Sequence, residues 1–304
     1  MSENKTDSGV IELDADWDNV PQESLSDSPA DTTEPSGDAQ ERVKLKIGIV
    51  GDNYLAQATR ASFDPKLADV HMGGIDDVLK CNVIFVCIDL EFLKNDTVND
   101  VELIDLMNKI QKGSDAGVCI KTTIGPETLD RIAMATDVQW FIKKVIYSPE
   151  IGETAEEVLT NNYIMIGGDE ETRKSHANII LNMSATGQGI FVEGTPHEIC
   201  YAKLAMVGFK AAKQTFFNQM HQTIPDCEGA NPTTVRRIVE QSPVMSDLSF
   251  CIPTFTRALL DPECTTKQAR AYSGEFANRD IRLLVGMTDR LTILDECYNV
   301  RNLK

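Results

Sequence analysis

Along residues 44–194, short apolar runs alternate with segments in which apolar residues recur every third or fourth position. Lys44–Val50 reads as a strand ending at Gly51, and Tyr54–Phe63 as a short helix. Ala68–Met72 reads as a second strand and Ile75–Leu79 as a helical turn. Val83–Ile88 is an uninterrupted apolar run, the sign of a strand covered on both faces. Val101, Ile104, Met107 and Ile110 then recur at helical spacing, with Gly113 as the stop. Gly117–Thr122 predicts a strand, Pro126–Ala135 a helix and Lys143–Tyr147 another strand. Tyr163–Gly168, a helix over Glu170–Leu181 and a strand over Gly189–Glu193 complete the alternation. Strands and helices exchanging through short links predict an α/β domain built on a parallel sheet with helices on both faces.

From Thr195 the pattern changes. Thr195-Pro196-His197-Glu198 places Thr at the N-cap, Pro at the first helical position and Glu at the third, a capping box with its preferred opener. The helix it starts runs to Ile224, before Pro225, and at ~1.5 Å per residue is roughly 45 Å long. Ile199, Ala202, Met206, Phe209, Phe216, Phe217, Met220 and Ile224 cover more than one face, so most of its girth is expected to be buried. Lys203 stands near its start among apolar neighbours. No convincing strand follows. The expected organisation is a leader over 1–42, a sheet domain over 43–194, and a helical domain over 195–304 led by the long central helix.

Composition narrows the classes. Of 304 residues, 42% are apolar and 25% charged, which suits one or two ordinary cores. No run approaches the ~18 apolar residues of a membrane span, and the N-terminus is acidic rather than signal-like. The net charge of −18 speaks against a generic nucleic-acid surface. Residues 1–41 hold twelve acids against Lys5, so −11 of that charge sits in the leader, whose composition predicts disorder. Within it, Val10–Val20 sets Trp17 and aliphatics among acids, a candidate docking motif for a protein partner, or else a solvated tail with an incidental Trp. Eight cysteines form no CxxC pair and four histidines show no zinc spacing, so no metal is expected and a reducing, cytoplasmic compartment is.

The first strand-to-helix turn is where a parallel sheet of this kind binds ligands. It reads Gly48-Ile49-Val50-Gly51-Asp52-Asn53-Tyr54-Leu55-Ala56. Gly51 matches the first glycine of the dinucleotide fingerprint and Ala56 the third position, where Ala is tolerated. Asn53 replaces the second glycine, Asp52 adds repulsion to a phosphate, and His71 and Met72 stand where a ribose-holding acid belongs. The turn reads either as a bare sheet turn or as a cofactor site made of Gly48, Gly51, Asn53, Tyr54 and Leu55.

Six stretches, in order, resemble landmarks of the UDP-glucose/GDP-mannose dehydrogenase family. They are Lys46–Gly51, Lys121-Thr122-Thr123-Ile124-Gly125-Pro126, Ser148-Pro149-Glu150, Tyr163–Asp169, the long helix with Lys203 and Phe216-Phe217-Asn218-Gln219, and Cys227-Glu228-Gly229-Ala230-Asn231. The resemblance implies a Rossmann-like NAD domain and a long dimerising helix. It also implies oxidation of a sugar's C6 alcohol by NAD, so the expected partners are a second copy through the helix and a nucleotide-sugar or small hydroxyl substrate. By the same resemblance Thr123 would position water and cofactor, and Glu150 would serve as a base. Lys203 would stabilise an oxyanion, and Cys251 would be the thiol nucleophile of a thioester step.

Departures from the family accompany it. Val207 stands where the family has an asparagine one turn after the lysine, and Thr254 and Phe255 replace the lysine and aspartate after the cysteine. A competing match, Gly274–Leu283, keeps a basic–aspartate pair, Arg279-Asp280, but puts Phe276 in the cysteine's place. The chain ends at Lys304, before the family's nucleotide-sugar domain. Two other readings therefore stand beside the first: a non-catalytic scaffold derived from the family, and a hydroxyacid or 6-phosphogluconate type of dehydrogenase that uses Lys203 without a cysteine. In structural terms Lys203 reads equally as a snorkelling lysine, Thr123 as a helix cap, Glu150 as a surface acid and Cys251 as a packed thiol.

Overall fold

The computed structural model describes residues 44–93, 98–152, 154–161, 163–181, 190–223, 229–240 and 280–284. All of them belong to one compact unit, Val43–Lys304. The acidic leader with Trp17, the Gly189 strand start, Ile224, Phe276 and Cys251 lie outside the described residues.

The strands are β1 (Leu45–Val50), β2 (Ala68–Met72), β3 (Val83–Val86), β4 (Glu91–Phe92), β5 (Val98–Asn99), β6 (Gly117–Ile120), β7 (Val145–Tyr147), β8 (Tyr163–Gly167) and β9 (Ile190–Gly194). Seven form one sheet in the order β2-β1-β3-β6-β7-β8-β9, and β4 and β5 pair as a separate antiparallel ribbon. The first five are parallel, as the alternation predicts. β8 pairs antiparallel with β7 through the single register Tyr147↔Gly167, and β9 runs parallel to β8, so the last two strands are reversed. The helices are α1 (Tyr54–Ala61), α2 (Ile75–Val78), α3 (Val101–Gly113), α4 (Pro126–Ala135), α5 (Val138–Lys144), α6 (Ala155–Thr160), α7 (Glu170–Leu181), α8 (Pro196–Thr223) and α9 (Pro232–Glu240).

Two apolar layers sandwich the sheet. One gathers Ile84, Val86, Leu103, Met107, Ile110, Ile120, Ile132 and Tyr147 with Ile199 and Leu204 of α8. The other gathers Ile47, Ile49, Leu55, Phe63, Phe85 and Ile166. Alternate residues of β1 and β3 enter opposite layers because successive strand side chains point to opposite faces. Full cover of Val83–Val86 on both faces is what its unbroken apolar run predicts.

Local chemistry explains the elements the pattern misses. Asp137 accepts the Trp140 N–H at 2.8 Å and caps α5, so Lys143 and Lys144, expected to open a strand, close this helix instead. Thr154 likewise accepts the Glu157 N–H at 3.2 Å and starts α6. The capping box of α8 forms as expected. Thr195 Oγ1 accepts from Glu198 N at 3.2 Å, and Thr195 N donates to Glu198 Oε2 at 2.7 Å.

The girth of α8 is less buried than its composition predicts. Ile199, Cys200, Lys203, Leu204, Ala211 and Thr215 form one buried stripe. Tyr201, Phe209 and Phe216 on another face are 53%, 65% and 54% exposed. Among the described residues the sheet, α4, α9 and the stretch 280–284 pack on the rod, and Ile281 seats against Ala211 and Val207.

Candidate functional site

The strand order reverses between β1 and β3, because the chain steps from β1 outward to β2 and then back past β1 to β3. In an open α/β sheet that switch point leaves a crevice at the carboxyl ends of the strands, the place where such folds bind ligands. Here its walls are the β1–α1 turn, Gly51-Asp52-Asn53, and the segment after β3, Cys87-Ile88-Asp89.

Gly51 has φ +127°, and a Cβ there would fall 2.1 Å from the Cys87 carbonyl oxygen, so only glycine fits. Ala56 is fully buried, which lets α1 sit close on the sheet as the third fingerprint position requires. Between them Asn53 caps α1: its side-chain oxygen accepts from Ala56 N at 3.0 Å, and its Nδ2 donates to Asp89 Oδ1 at 2.9 Å. A pyrophosphate needs that helix N-terminus bare and needs no anion beside it. Asn53 occupies one of its donors, and Asp52 and Asp89 flank it with negative charge, so the residues present do not fit the phosphates of NAD. Nor does β2 end in an acid: it ends in Met72, and His71 pairs outward with Asp69 at 3.1 Å.

The other predicted cofactor residues are placed elsewhere. Gly48 lies within β1, where a Cβ would meet Val78 at 2.7 Å, so it is a packing glycine under α2. Leu55 is core, and the Tyr54 hydroxyl donates to the Gly152 carbonyl at 3.1 Å, joining α1 to the loop before α6.

A second polar group lies at the carboxyl ends of β6 and β7. Thr122 and Thr123 are buried, and Thr122 Oγ1 accepts from Ile88 N at 3.0 Å, tying the loop after β6 to the loop after β3. Lys121 is almost wholly buried, ion-paired to Glu150 and within 3.4 Å of Ser148 Oγ. Burial pushes its ammonium down, but the Glu150 carboxylate outweighs this by charge and hydrogen bond, with smaller help from Cys119 and Cys87, and Lys121 stays above its ordinary value. Glu150 is thus the counter-ion of a buried cation, a role its sequence context does not reveal.

Lys203 projects from α8 to within 3.4 Å of Asp280 Oδ2, with side chains 6% and 4% exposed. Neighbouring Cys200 donates its thiol to the Ile124 carbonyl at 3.0 Å, so this end of α8 is fastened one residue from Thr123. Leu283, on the same short stretch as Asp280, packs 3.7 Å from the Cβ position of Gly125. Arg282 lies over the Phe92 ring at 4.1 Å. The stretch 280–284 is therefore wedged between α8 and the β6–α4 turn. Of the four predicted catalytic residues, the fold gathers Thr123, Glu150 and Lys203 at one end of the sheet. Lys121 and Asp89, which have no role in the sequence reading, and Asp280 of the competing match complete the charges there. Among the described residues, no group of His, Cys, Asp and Glu could hold a metal ion.

This mostly parallel sheet with helices on both faces is a Rossmann-like fold, and it matches solved dehydrogenases. More particularly, it is the fold of the UDP-sugar dehydrogenases. A UDP-D-ManNAc dehydrogenase from Pyrococcus horikoshii matches at TM-score 0.66 and 14% identity, over 84% of this chain and 68% of that one. A UDP-glucose dehydrogenase from Pyrobaculum islandicum matches at TM-score 0.61 and 16% identity, over 85% and 68%. A 3-hydroxyisobutyrate dehydrogenase from Mycobacterium tuberculosis matches at TM-score 0.59 and 13% identity, over 84% of this chain and 92% of its own. No family model and no curated protein matches the chain by sequence. None of the described helices is long and apolar enough to cross a membrane.

Proposed function

We propose that this chain is a non-catalytic protein built on the nucleotide-sugar-dehydrogenase fold, working as an assembly or binding module rather than as an oxidoreductase. The observation that carries this reading is the state of the two charges such chemistry uses. Lys203 is buried against Asp280, and Glu150 is held by buried Lys121. A base must offer a lone pair to a substrate proton, and an oxyanion partner must face an open site. Both groups here face protein partners instead.

The Lys203–Asp280 pair also favours the second of the two competing sequence matches. In that register Asp280 takes the family's aspartate position and Phe276 takes the nucleophile's, so no thiol serves a thioester step. Cys251 is then a thiol without a catalytic role. Tyr201, Phe209 and Phe216 lie on one face of α8 and form an apolar stripe that suits pairing with a second copy. The acidic leader suits a basic protein partner.

A second reading has one observation behind it. Buried ion pairs are weak devices for stability and frequent ones at active sites, and Lys203 lies on the helix that carries a catalytic lysine in hydroxyacid-type dehydrogenases. One assay separates the two. The purified chain is incubated with NAD⁺ or NADP⁺ and either UDP-glucose or 3-hydroxyisobutyrate, and nicotinamide absorbance is followed. The expected result is no reduction above the blank. Turnover that disappears in Lys203→Met would overturn the non-catalytic reading and establish the second.

A further inference from the structure

We infer that Asn53 and Asp89 form a two-residue lock that keeps nucleotide phosphates out of a crevice whose backbone frame suits a dinucleotide. The inference rests on the dehydrogenase-fold reading of the crevice, and it concerns binding, which is separate from turnover.

The frame of the crevice is preserved. Gly51 keeps the left-handed turn and Cys87 closes directly over it, so β1 and β3 end flush. Ala56 keeps the close seat of α1, and Asn53 itself has φ −74° and ψ 178°, an extended conformation open to any residue. What has changed is confined to side chains. In a phosphate-binding turn the position of Asn53 carries no side chain, so that backbone N–H groups at the helix start can reach the anion. Here the Asn53 amide lies across that approach with both ends engaged: its oxygen holds Ala56 N at 3.0 Å on one wall, and its nitrogen holds Asp89 Oδ1 at 2.9 Å on the other. The bridge spans the crevice from the turn after β1 to the segment after β3. Asp89 adds a carboxylate on the wall opposite the turn, and Asp52 precedes Asn53 within the turn. The bridge excludes a phosphate by shape, and the carboxylates exclude it by charge.

Such a lock is removable. Glycine is nearly as good an N-cap as asparagine, so Asn53→Gly clears the approach with little effect on α1. Asp89→Asn removes the charge and keeps hydrogen-bonding capacity. The test measures ADP and ADP-ribose binding by calorimetry for the full chain and for the double variant Asn53→Gly/Asp89→Asn, with circular dichroism and melting to verify folding. The expected result is no measurable binding by the unaltered chain at millimolar nucleotide, and affinity at least tenfold higher in the folded double variant. Micromolar binding by the unaltered chain overturns the lock, as does a folded double variant that gains nothing. If the double variant does not fold, Asp89→Asn alone is measured, with a gain of at least threefold expected and no gain counting against the lock. Binding by the unaltered chain without nicotinamide reduction defeats the lock alone. Reduction defeats the non-catalytic reading as well.

Discussion

Lys203, on α8, and Asp280, far along the chain from it, meet at 3.4 Å with almost no exposure to solvent. Two desolvated opposite charges hold each other in place, and removing one leaves the other buried without a partner. Lys203→Met is expected to destabilise the protein by about 3–5 kcal/mol, and Asp280→Leu by a similar amount. The double variant should recover most of the loss, since an apolar pair of similar volume needs no counter-charge. Urea unfolding of the four proteins closes this cycle. Additive losses would show that the two groups do not act as a pair.

The same physics applies at Lys121. Glu150→Gln strands a fully buried ammonium beside Ser148 and two neutral thiols, and a loss of about 3 kcal/mol or more is expected in the same unfolding experiment. A loss below about 1 kcal/mol would place Glu150 among ordinary exposed pairs and free it for another role.

Stability should fall on the alkaline side. Burial pushes the thiols of Cys87, Cys119 and Cys200 from 9.0 up to about 12, with Asp280 adding its charge at Cys200. Between those values the unfolded chain has released these protons and the folded chain has not, so the unfolded state binds fewer protons and stability declines as pH rises. Each thiol contributes on the order of 1 kcal/mol of loss per pH unit above 9. Lys121 acts in the same sense, because its raised value makes the contribution of its ion pair complete below the unfolded value and lost as pH climbs through the folded one. Melting temperature from pH 7 to 10.5 reads this directly, and a Cys119→Ala variant should show a shallower decline.

Thr195 and Glu198 satisfy one another's backbone N–H groups at the start of α8. Thr195→Ala should cost about 1 kcal/mol and Thr195→Asp nearly nothing. An equal loss for both would mean that the cap's contribution lies in packing rather than in the hydrogen bond.

If the exposed stripe of α8 pairs two copies, charge placed at its centre should separate them. Phe209→Glu, at a residue 65% exposed, should leave the melting of the fold intact while converting the unaltered protein's dimer to a monomer in sedimentation velocity. An unaltered protein that sediments as a monomer at all concentrations would remove the pairing proposal.

Much of this was legible in residue order. The unbroken Val83–Val86 run and the 3.6-residue recurrence of α3 lead to the same elements in the fold, because burial on two faces or one leaves a different period in the sequence. The α8 cap was legible because its partners are three residues apart. The helix Val138–Lys144 was not, and it takes the first two residues of the expected Lys143–Tyr147 strand, with Asp137 accepting the Trp140 N–H at its start. The buried girth expected of α8 was not met either, because apolar content says that a face wants a partner and not where the partner comes from.

The sequence by itself determined the alternation of elements, the Gly51 turn, the capped rod and the presence of Thr123, Glu150 and Lys203. All of these depend on neighbours within a few positions. Only the tertiary structure decided what the polar groups face: Lys121 for Glu150, Asp280 for Lys203, Asp89 for the neutral amide of Asn53. Each partner comes from a separate strand end or helix, brought near by the closing of the sheet and by 280–284 folding back on α8. Whether a charge stands free or neutralised depends on distances across the fold, and no local pattern encodes them.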